Sequence, residues 1–506
     1  MSDLKKQEEE KNISSNNETL REKRAKEVQY PKGKLTAYER IELLVDKGTF
    51  KEIDKLVTSK ENPDGEAVIT GTGMIHGRPI YIFSEDFSVM GGSLGKIVSE
   101  KILKIMDLAL ESKSPIIGIK DSGGARIQEG IASLYGYANI FKKNVECSGV
   151  VPQISIVVGP SAGGAVYSPA LTDIIFQVKD IGQMYVTGPS VVKTVTGEDV
   201  SYEELGGIMA HGSNSGVSHQ ITDTEEQAFE EVRYLLSFLP QSAYQKPPRF
   251  LTEDTEDRVS EKLNGLIPEN STQPYNMVEV INNIVDDGEF YQVHENYARN
   301  IITGFSRFNG DTVGIVANQP TELAGVLDIN ASEKAARFVR FCDSFNIPLV
   351  TLVDVPGFLP GVEQEHGGII KSGAKLLYAY SESTVPRICV ITRKAYGGAY
   401  IVMDSLGLGA DKIFAWPSAE VAVMGAEGAV DIIYKKKIKQ AENKKIIREE
   451  LINEYREEFN NSNKAIQLGL VHSIITPSET REKIIYALKD LSNKVNLGSK
   501  HGNIPL

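Results

Sequence analysis

The chain has 506 residues, and its 55 lysines and arginines against 68 aspartates and glutamates give a net charge of −13. This length exceeds one typical domain, and a hydrophobic fraction of 41% is that of an ordinary globular protein, so at least two folded domains are expected. The acidic balance argues against a nucleic-acid binder. Three cysteines without a CxxC pair argue against a zinc ribbon or a disulfide framework and fit a reducing cytosol.

The chain begins with a charged segment, residues 1–30, that lacks the apolar core of a secretory signal. Its longest apolar stretch, Gly149–Leu171, is interrupted by prolines and glycines and is therefore expected to be buried core, not a membrane span. These features predict a cytoplasmic protein without a membrane-spanning segment.

An internal repeat organises the rest of the chain. Ile69-Thr70-Gly71 recurs 233 residues later as Ile302-Thr303-Gly304. Further matches follow in the same order at nearly constant spacing: Ser99-Glu100-Lys101 with Ser332-Glu333-Lys334, Asp121 with Asp354, and Gly163-Gly164-Ala165 with Gly397-Gly398-Ala399. The repeat predicts two copies of one domain, residues 31–245 and 250–495, joined near the Pro-Pro pair at 247–248.

Both copies predict the same order of elements. Short β-rich runs come first, then a helix and an apolar strand with a glycine-rich loop, then a second helix, strand and glycine loop. The predicted elements are Ala67–Met74, Pro79–Phe83, Gly95–Ser112, Pro115–Asp121 and Gln153–Val158, then Thr312–Ala317, Ser332–Phe345, Pro348–Asp354 and Arg387–Thr392. Apolar strands alternating with helices predict an α/β class in both domains, with parallel sheets covered on both faces.

Four glycine-containing loops after these strands are candidate binding sites. In α/β folds ligands bind beyond the carboxyl ends of the strands, and glycine lets a substrate approach backbone N–H groups closely. Two donors aimed at one point would form an oxyanion hole, so two copies predict two holes, unless the glycines only permit tight turns or close helix packing. The loops lie within Ser122–Arg126, Ser161–Ala165, Val355–Phe358 and Ala395–Ala399.

Other chemistries are less well supported. The chain has no GxGxxG loop opening a helix after a first strand and no GxxxxGK[ST] loop, and His211 and His219 lack the spacing of an HExxH metal site. Gly159–Gly163 matches the G-x-S-x-G hydrolase pattern, but no histidine base is marked. Backbone donors without an evident base or nucleophile suggest that an enolate is stabilised, with the proton acceptor coming from elsewhere.

Six long segments resemble the carboxyltransferase (β) subunit of biotin-dependent acyl-CoA carboxylases, with the propionyl-CoA carboxylase β subunit as the nearest type. The resemblance extends from about Lys34 to about Lys489. The segments are Asp121–Gly130, Gly159–Pro169, Thr187–Asp199, Asp328–Asp343, Asp354–Gly361 and Arg393–Tyr400.

The resemblance implies two crotonase-like domains, a homohexamer, and active sites between the first domain of one chain and the second domain of another. The first domain would bind the acyl-CoA and the second would bind biotin. In the family carboxybiotin releases CO2, the freed ureido nitrogen takes the α-proton, and the thioester enolate captures the CO2. This chain lacks a biotin-attachment segment and an ATP-grasp-like stretch, so the biotin carboxyl carrier protein and the biotin carboxylase are expected to be separate chains, and no metal is expected in this subunit.

The resemblance also assigns residues. The thioester hole would be formed by Gly123, Gly124, Gly163, Gly164 and Ala165, and the hole for the biotin ureido oxygen by Gly357, Phe358, Gly398 and Ala399. Arg126 would either contact CoA phosphates or brace its loop through an ion pair. Tyr400 and Ile401 would contact the ligands, with Ile401 at the border of the acyl pocket.

Two positions depart from the propionyl-type pattern. Ile401 stands where an aspartate is common, which favours another or a broader range of short acyl groups and resembles the α subunit of methylmalonyl-CoA decarboxylase. Asp404–Gly409 replaces a stretch that usually contains Lys-His.

Three alternatives remain open at the level of sequence. One is the reverse reaction, in a decarboxylase with a membrane partner or in a transcarboxylase. Another is a biotin-independent hydratase or isomerase, which would need a glutamate base. The third is a non-catalytic scaffold subunit.

Overall fold

The computed structural model describes residues 21–268, 270–459 and 461–505, so the first twenty residues of the predicted charged segment lie outside the described residues. The chain divides into two compact units. The first runs to Lys246 and also includes Gly498–Pro505, and the second spans Pro247–Leu497. The return of the C-terminal residues to the first unit was not predicted from the sequence.

The first unit is built on an eight-stranded sheet in the order β1-β2-β3-β4-β5-β6-β8, with β7 paired to β5. The strands are β1 Lys51–Ile53, β2 Val68–Ile75, β3 Arg78–Glu85, β4 Ile116–Ser122, β5 Gln153–Ala162, β6 Ile174–Val178, β7 Gln183–Tyr185 and β8 Gln220–Thr222. The α-helices are Ala37–Leu44, Lys96–Ser112, Ile131–Cys147, Tyr167–Ala170, Pro189–Thr196, Tyr202–Gly206 and Glu225–Leu236, and residues 21–29 are also helical.

The second unit repeats this sheet, in the order β16-β14-β13-β12-β11-β10-β9 with β15 paired to β13. The strands are β9 Tyr291–Val293, β10 Ile301–Phe308, β11 Asp311–Asn318, β12 Leu349–Val355, β13 Arg387–Tyr396, β14 Lys412–Ala415, β15 Glu420–Ala422 and β16 Ser473–Ile474. The helices are Met277–Ile284, Ile329–Ser344, Val362–Gly367, Ile369–Glu382, Gly397–Val402, Ala426–Ile433, Lys435–Gln440, Lys444–Phe459, Ser462–Gln467 and Thr480–Asp490.

The α/β class, the internal repeat and the mainly parallel sheets are confirmed, but the antiparallel strands at the start of each sheet were not predicted. In each unit the first three strands are antiparallel and the rest are parallel. The β2–β3 and β10–β11 pairs are antiparallel because a two-residue hairpin turn joins each of them. The turn is His76-Gly77 in one unit, with φ of 53° and 69°, and Asn309-Gly310 in the other, with φ of 52° and 82°. Positive φ at both turn positions is typical of tight hairpins, for which Asn-Gly is a strong sequence signal.

The repeated Ser-Glu-Lys segment provides a buried lysine in each unit. The Lys334 ammonium lies 2.7–3.3 Å from the carbonyl oxygens of His294, Tyr297, Ala298 and Ile301. Lys101 donates in the same way to the Val68 carbonyl, at 3.3 Å. Burial lowers the pKa of Lys101 to about 8 and that of Lys334 to about 7. The lysines therefore bind the backbone at the start of equivalent strands, β2 and β10.

Candidate active site

The two glycine loops of the first unit meet at the ends of neighbouring strands. β4 and β5 are parallel, and a shift in their register after Lys120 places Ser122 opposite Ser161. A Cβ on Gly124 would lie 2.8 Å from the Ala162 carbonyl oxygen, and Gly124 has a φ of +101°. The loop after β4 thus lies directly against the end of β5, and only glycine suits this position.

Two of the N–H groups in the loop after β4 are already engaged. The Gly123 N–H donates to the Gly91 carbonyl at 2.9 Å. The Gly124 N–H donates to the Ser122 hydroxyl at 3.2 Å. Both glycines were predicted as hole donors, and their N–H groups already have partners inside the protein.

The unengaged donor of this loop is the N–H of Ala125, for which the described residues provide no acceptor. Its orientation is set by an isolated parallel bridge with Leu94. The Leu94 N–H donates to the Gly124 carbonyl and the Arg126 N–H to the Leu94 carbonyl, both at 2.9 Å. The sequence prediction missed Ala125, although the repeat spacing of 233 residues relates it to Phe358, which was predicted.

The second contributor is the turn that follows β5. Gly163–Val166 forms a short 3-10 helix, and the first N–H groups of a helix have no partner within it. Gly163 has a φ of +59°, which orients the turn, and Ala165 is fully buried beneath it. A Cβ on Gly164 would lie 2.8 Å from the Tyr137 ring, so this glycine also permits close helix packing.

The second unit repeats this geometry with one difference. The Leu327 N–H donates to the Gly357 carbonyl at 3.1 Å and the Leu359 N–H to the Leu327 carbonyl at 2.8 Å. Neither the Gly357 N–H nor the Phe358 N–H has an acceptor within the described part of the chain. Val355 stands at the position of Ser122, and its side chain, unlike the Ser122 hydroxyl, cannot accept a hydrogen bond. This loop therefore has one more free N–H donor than the loop of the first unit.

The helix Gly397–Val402 supplies the second contributor of this unit. Gly397 has a φ of +60°, as Gly163 does, and Ala399 is fully buried. Gly398 is exposed, and the nearest atom to a Cβ placed on it would be Cε2 of Phe358, at 3.9 Å. The Phe358 ring also packs against Gly373, whose added Cβ would be 3.1 Å away. Gly398 therefore faces open space beside the Phe358 ring.

Equivalent buried aspartates hold the loops. The Asp121 carboxylate accepts hydrogen bonds from Lys34 at 2.8 Å, Gln29 at 2.9 Å and Arg40 at 2.9 Å, and its N–H donates to Glu85 at 2.9 Å. Asp121 is the residue before Ser122, so this network anchors the point where the loop leaves β4.

Asp354 has the same place in the second unit. Its carboxylate accepts from the Arg393 guanidinium at 2.9 Å and from the Lys394 N–H at 3.1 Å. Its own N–H donates to Asn318 at 3.2 Å. Since the partners of a buried carboxylate must be placed accurately, both networks favour one loop geometry.

Arg126 is buried and engaged within its own unit. It donates to Glu129 at 2.9 Å, to Glu66 at 3.1 Å and to the Ser93 carbonyl at 3.2 Å. Burial alone would raise the pKa of Glu66, but hydrogen bonds from Ser59 and Arg126 and the Arg126 charge outweigh burial and lower it. These contacts support the loop-bracing alternative for Arg126.

Tyr400 and Ile401 follow the second glycine turn. Burial raises the pKa of Tyr400, whereas the Ile401 side chain is 47% exposed within this chain. In the unusual stretch that begins at Asp404, the Asp404 carboxylate is fully buried and accepts from Arg387 at 3.0 Å and from Thr351 at 3.4 Å. Burial raises the pKa of Asp404 to about 6, against the opposing charge of Arg387.

Each unit thus offers backbone N–H groups from two adjacent loops at the carboxyl edge of its sheet. Such donors carry partial positive charge and suit an oxygen on which negative charge develops. Among the described residues, no three His, Cys, Asp or Glu side chains are grouped so that they could hold a metal ion. In the same part of the chain, every helix is too short or too polar to span a membrane.

Comparison with known proteins shows the family of the chain. The family described as "Carboxyl transferase domain" matches residues 28–504. The carboxyltransferase subunit of propionyl-CoA carboxylase from Haloferax mediterranei is 54% identical over 94% of this chain and 95% of that protein. The α subunit of methylmalonyl-CoA decarboxylase from Veillonella parvula is 52% identical over 95% of both.

Solved structures are similarly close. The crystal structure of transcarboxylase 12S, described as a hexamer assembly with methylmalonyl-coenzyme A and methylmalonic acid bound, has a TM-score of 0.93 at 47% identity and covers 98% of both chains. With this agreement in sequence and overall fold, the chain belongs to the carboxyl transferase domain family and is a carboxyltransferase.

Proposed function

We propose that this chain is the carboxyltransferase subunit that moves CO2 between carboxybiotin and the α carbon of a short acyl-CoA. The observation that carries the proposal is the occurrence of two equivalent sets of backbone donors, at the ends of β4 and β5 and of β12 and β13, in a chain of this family. In the proposed reaction negative charge develops on the thioester oxygen and on the biotin ureido oxygen, so each oxygen needs its own set of donors. We assign the thioester to the first unit, residues 31–245, and the biotin ureido group to the second, residues 250–495.

In the first unit the N–H groups of Ala125 and Gly164 would donate to the thioester oxygen, with Gly123, Gly124, Gly163 and Ala165 shaping the loops. Deprotonation at the α carbon places negative charge on this oxygen, so the donors bind the enolate more tightly than the ground-state thioester. In other enzymes, loss of a single oxyanion donor lowers the rate by about 100- to 1000-fold. Because the donors are backbone groups and the loop after β4 is anchored at Asp121, little reorganisation is needed during the reaction.

In the second unit the free N–H groups of Gly357 and Phe358 and the turn at Gly398-Ala399 fit a ureido oxygen, since they present donors and the open space beside Gly398. Bound carboxybiotin supplies CO2 and a ureido nitrogen able to accept the α-proton. The residues of this unit would hold the ureido oxygen. Gly398 is exposed and Phe358 beside it is half-buried, which would leave room for the biotin arm of a separate carrier protein.

Relatives suggest the substrate and the partners. Proteins 54% and 52% identical to this chain are named for propionyl-CoA and methylmalonyl-CoA, which differ by one carboxyl group at the α carbon. We therefore propose propionyl-CoA and methylmalonyl-CoA as the substrate pair, with Ile401 and Tyr400 bordering the acyl group. We further propose a homohexamer, as in the transcarboxylase 12S assembly, that works with a biotin carboxyl carrier protein and a biotin carboxylase subunit.

A second candidate is the reverse reaction, in which the chain is the α subunit of a decarboxylase with a membrane partner, or part of a transcarboxylase. The decarboxylase α subunits of Veillonella parvula and Propionigenium modestum, at 52% and 51% identity, favour it. The same donors stabilise the same enolate in both directions. The composition of the native complex distinguishes the two candidates. Co-purification with an ATP-dependent biotin carboxylase supports carboxylation, and co-purification with a membrane subunit supports decarboxylation.

The decisive experiment follows the loss of malonyl-CoA or methylmalonyl-CoA when the purified chain is incubated with free biotin. We expect biotin-dependent consumption of methylmalonyl-CoA in preference to malonyl-CoA. Hydration of an enoyl-CoA without biotin, with no transfer from either ester, would instead identify a crotonase-like hydratase. No reaction of either kind, with added biotinylated carrier and an intact hexamer, would refute the proposed function.

A further inference from the structure

The first unit contains a π-helix, which lies later in the chain than the glycine turn Gly163–Val166. Residues Met209–Asn214 form this element, which is rare in proteins and is frequently found at functional sites. It presents His211, whose Nε2 lies 2.7 Å from the Met184 carbonyl oxygen and whose Nδ1 lies 2.9 Å from the Ser215 hydroxyl. Because a carbonyl only accepts, Nε2 carries the hydrogen of this bond. The proposed function leaves this histidine without a role.

The acceptor of that bond belongs to the strand against which the thioester loop is built. Met184 is the middle residue of β7, which pairs only with the end of β5, placing Met184 opposite Ser161 and Tyr185 opposite Ala162. The Met184 side chain is fully buried and packs in a small cluster with Val157 and with Val166, the last residue of the glycine turn. β7 therefore pairs through its backbone with the end of β5 that leads into the turn, and it packs against the turn itself through the Met184 side chain.

A three-residue strand paired on one side has few hydrogen bonds of its own, so an additional donor contributes strongly to its placement. In the second unit the equivalent strand, β15, pairs with β13 so that Val421 lies opposite Ala395. There the strand is held by another contact, between the Glu420 carboxylate and the Tyr396 hydroxyl. Both repeats tether this strand, but only the first uses a histidine from a π-helix.

We propose that His211 is a positioning residue of the thioester hole, acting through the Met184 carbonyl and β7 on the turn at Gly163-Gly164. This inference rests on the proposed function. If the tether is lost, β7 can shift and the N–H of Gly164 no longer points at the thioester oxygen. A displacement of about 1 Å at a reacting centre can cost about 100-fold in rate. The loss should appear in kcat, because CoA binding outside the hole is unchanged.

Three substitutions of His211 distinguish the contribution of Nε2 from that of Nδ1. His211→Gln keeps a donor near the position of Nε2, His211→Asn keeps only a group near Nδ1, and His211→Leu keeps neither. We expect His211→Gln to retain transfer within about threefold of wild type. His211→Asn and His211→Leu should lose about 10- to 100-fold in kcat, with the KM for methylmalonyl-CoA and for free biotin within twofold of wild type.

His76→Asn is the matched control, because His76 makes the same kind of bond, Nε2 to the Arg233 carbonyl at 2.8 Å, far from the loops in the β2–β3 turn. Asparagine tolerates the positive φ of 53° at this position. The control should match the thermal midpoint of His211→Asn and keep full kcat. The inference is overturned if His211→Leu keeps wild-type kcat, or if His211→Gln loses as much as His211→Leu. An inactive wild type would refute the proposed function instead.

Discussion

Gly398 offers the most direct test of the second donor set, because an added methyl group there affects ligand space and not the fold. The Cβ of a Gly398→Ala variant would be 3.9 Å from Cε2 of Phe358, an ordinary van der Waals contact, and the backbone there is not in a left-handed conformation. Alanine is also preferred over glycine in a helix, so the variant should unfold at equal or higher denaturant, with a gain of up to about 1 kcal/mol. The methyl group would nevertheless project into the open space assigned to the ureido oxygen.

We expect Gly398→Ala to lower transfer from methylmalonyl-CoA to free biotin by about 100-fold, because the methyl group would keep the ureido oxygen away from backbone donors that the variant still has, with an effect like the loss of one donor. Gly407→Ala is the control, since its Cβ would have only the Ser405 hydroxyl within 4.0 Å and Gly407 is not one of the proposed site residues. The measurements are the initial rate of ester loss, urea unfolding and the oligomeric state by light scattering. Transfer by Gly398→Ala within twofold of the control would refute the assignment of this surface to the ligand.

The equivalent substitution in the first unit should behave differently. A Cβ on Gly164 would be 2.8 Å from the buried Tyr137 ring, so Gly164→Ala forces that ring to move. Overpacking of this kind costs about 1–3 kcal/mol. Loss of activity in Gly164→Ala therefore mixes a packing effect with a donor effect, whereas Gly398→Ala separates them.

Three further outcomes are expected. Ile401→Asp should change the ratio of kcat/KM for malonyl-CoA and methylmalonyl-CoA, and unchanged ratios would remove this side chain from the acyl pocket. Lys334→Met should lower the free energy of unfolding in urea by about 3 kcal/mol, because it leaves buried carbonyl groups unsatisfied; exposed Lys371→Met should not. The pKa of Asp404 is about 6 in the folded protein and about 4 in the unfolded chain, so between pH 4 and 6 folding is coupled to the uptake of a proton. Wild type should therefore gain up to about 3 kcal/mol over Asp404→Asn as the pH falls from 6 to 4, and a constant difference would contradict this.

Several features could be predicted from the sequence because they depend on local pattern. The repeat between Ile69-Thr70-Gly71 and Ile302-Thr303-Gly304 predicted two similar domains, and these segments occupy the same positions in β2 and β10. The buried parallel strands appear as continuous apolar runs, so their places were predicted to within a few residues. The Asn309-Gly310 dipeptide is also a local hairpin signal, which accounts for the antiparallel β10–β11 pair that the prediction did not include.

Contacts between distant residues decided which backbone donors are available. Whether an N–H group is free depends on which acceptor the fold brings near it. The Gly123 N–H is engaged by the Gly91 carbonyl, whereas the Ala125 N–H stays free because Leu94 bonds to the Gly124 carbonyl and the Arg126 N–H on either side of it. Similarly, Gly164 is backed by Tyr137, and Asp121 is held by Arg40, 81 residues earlier. The sequence by itself determined that glycine loops follow these strands, because glycine and apolar patterns are local. Only the tertiary structure decided which backbone groups remain available, because hydrogen bonds are satisfied across the whole fold.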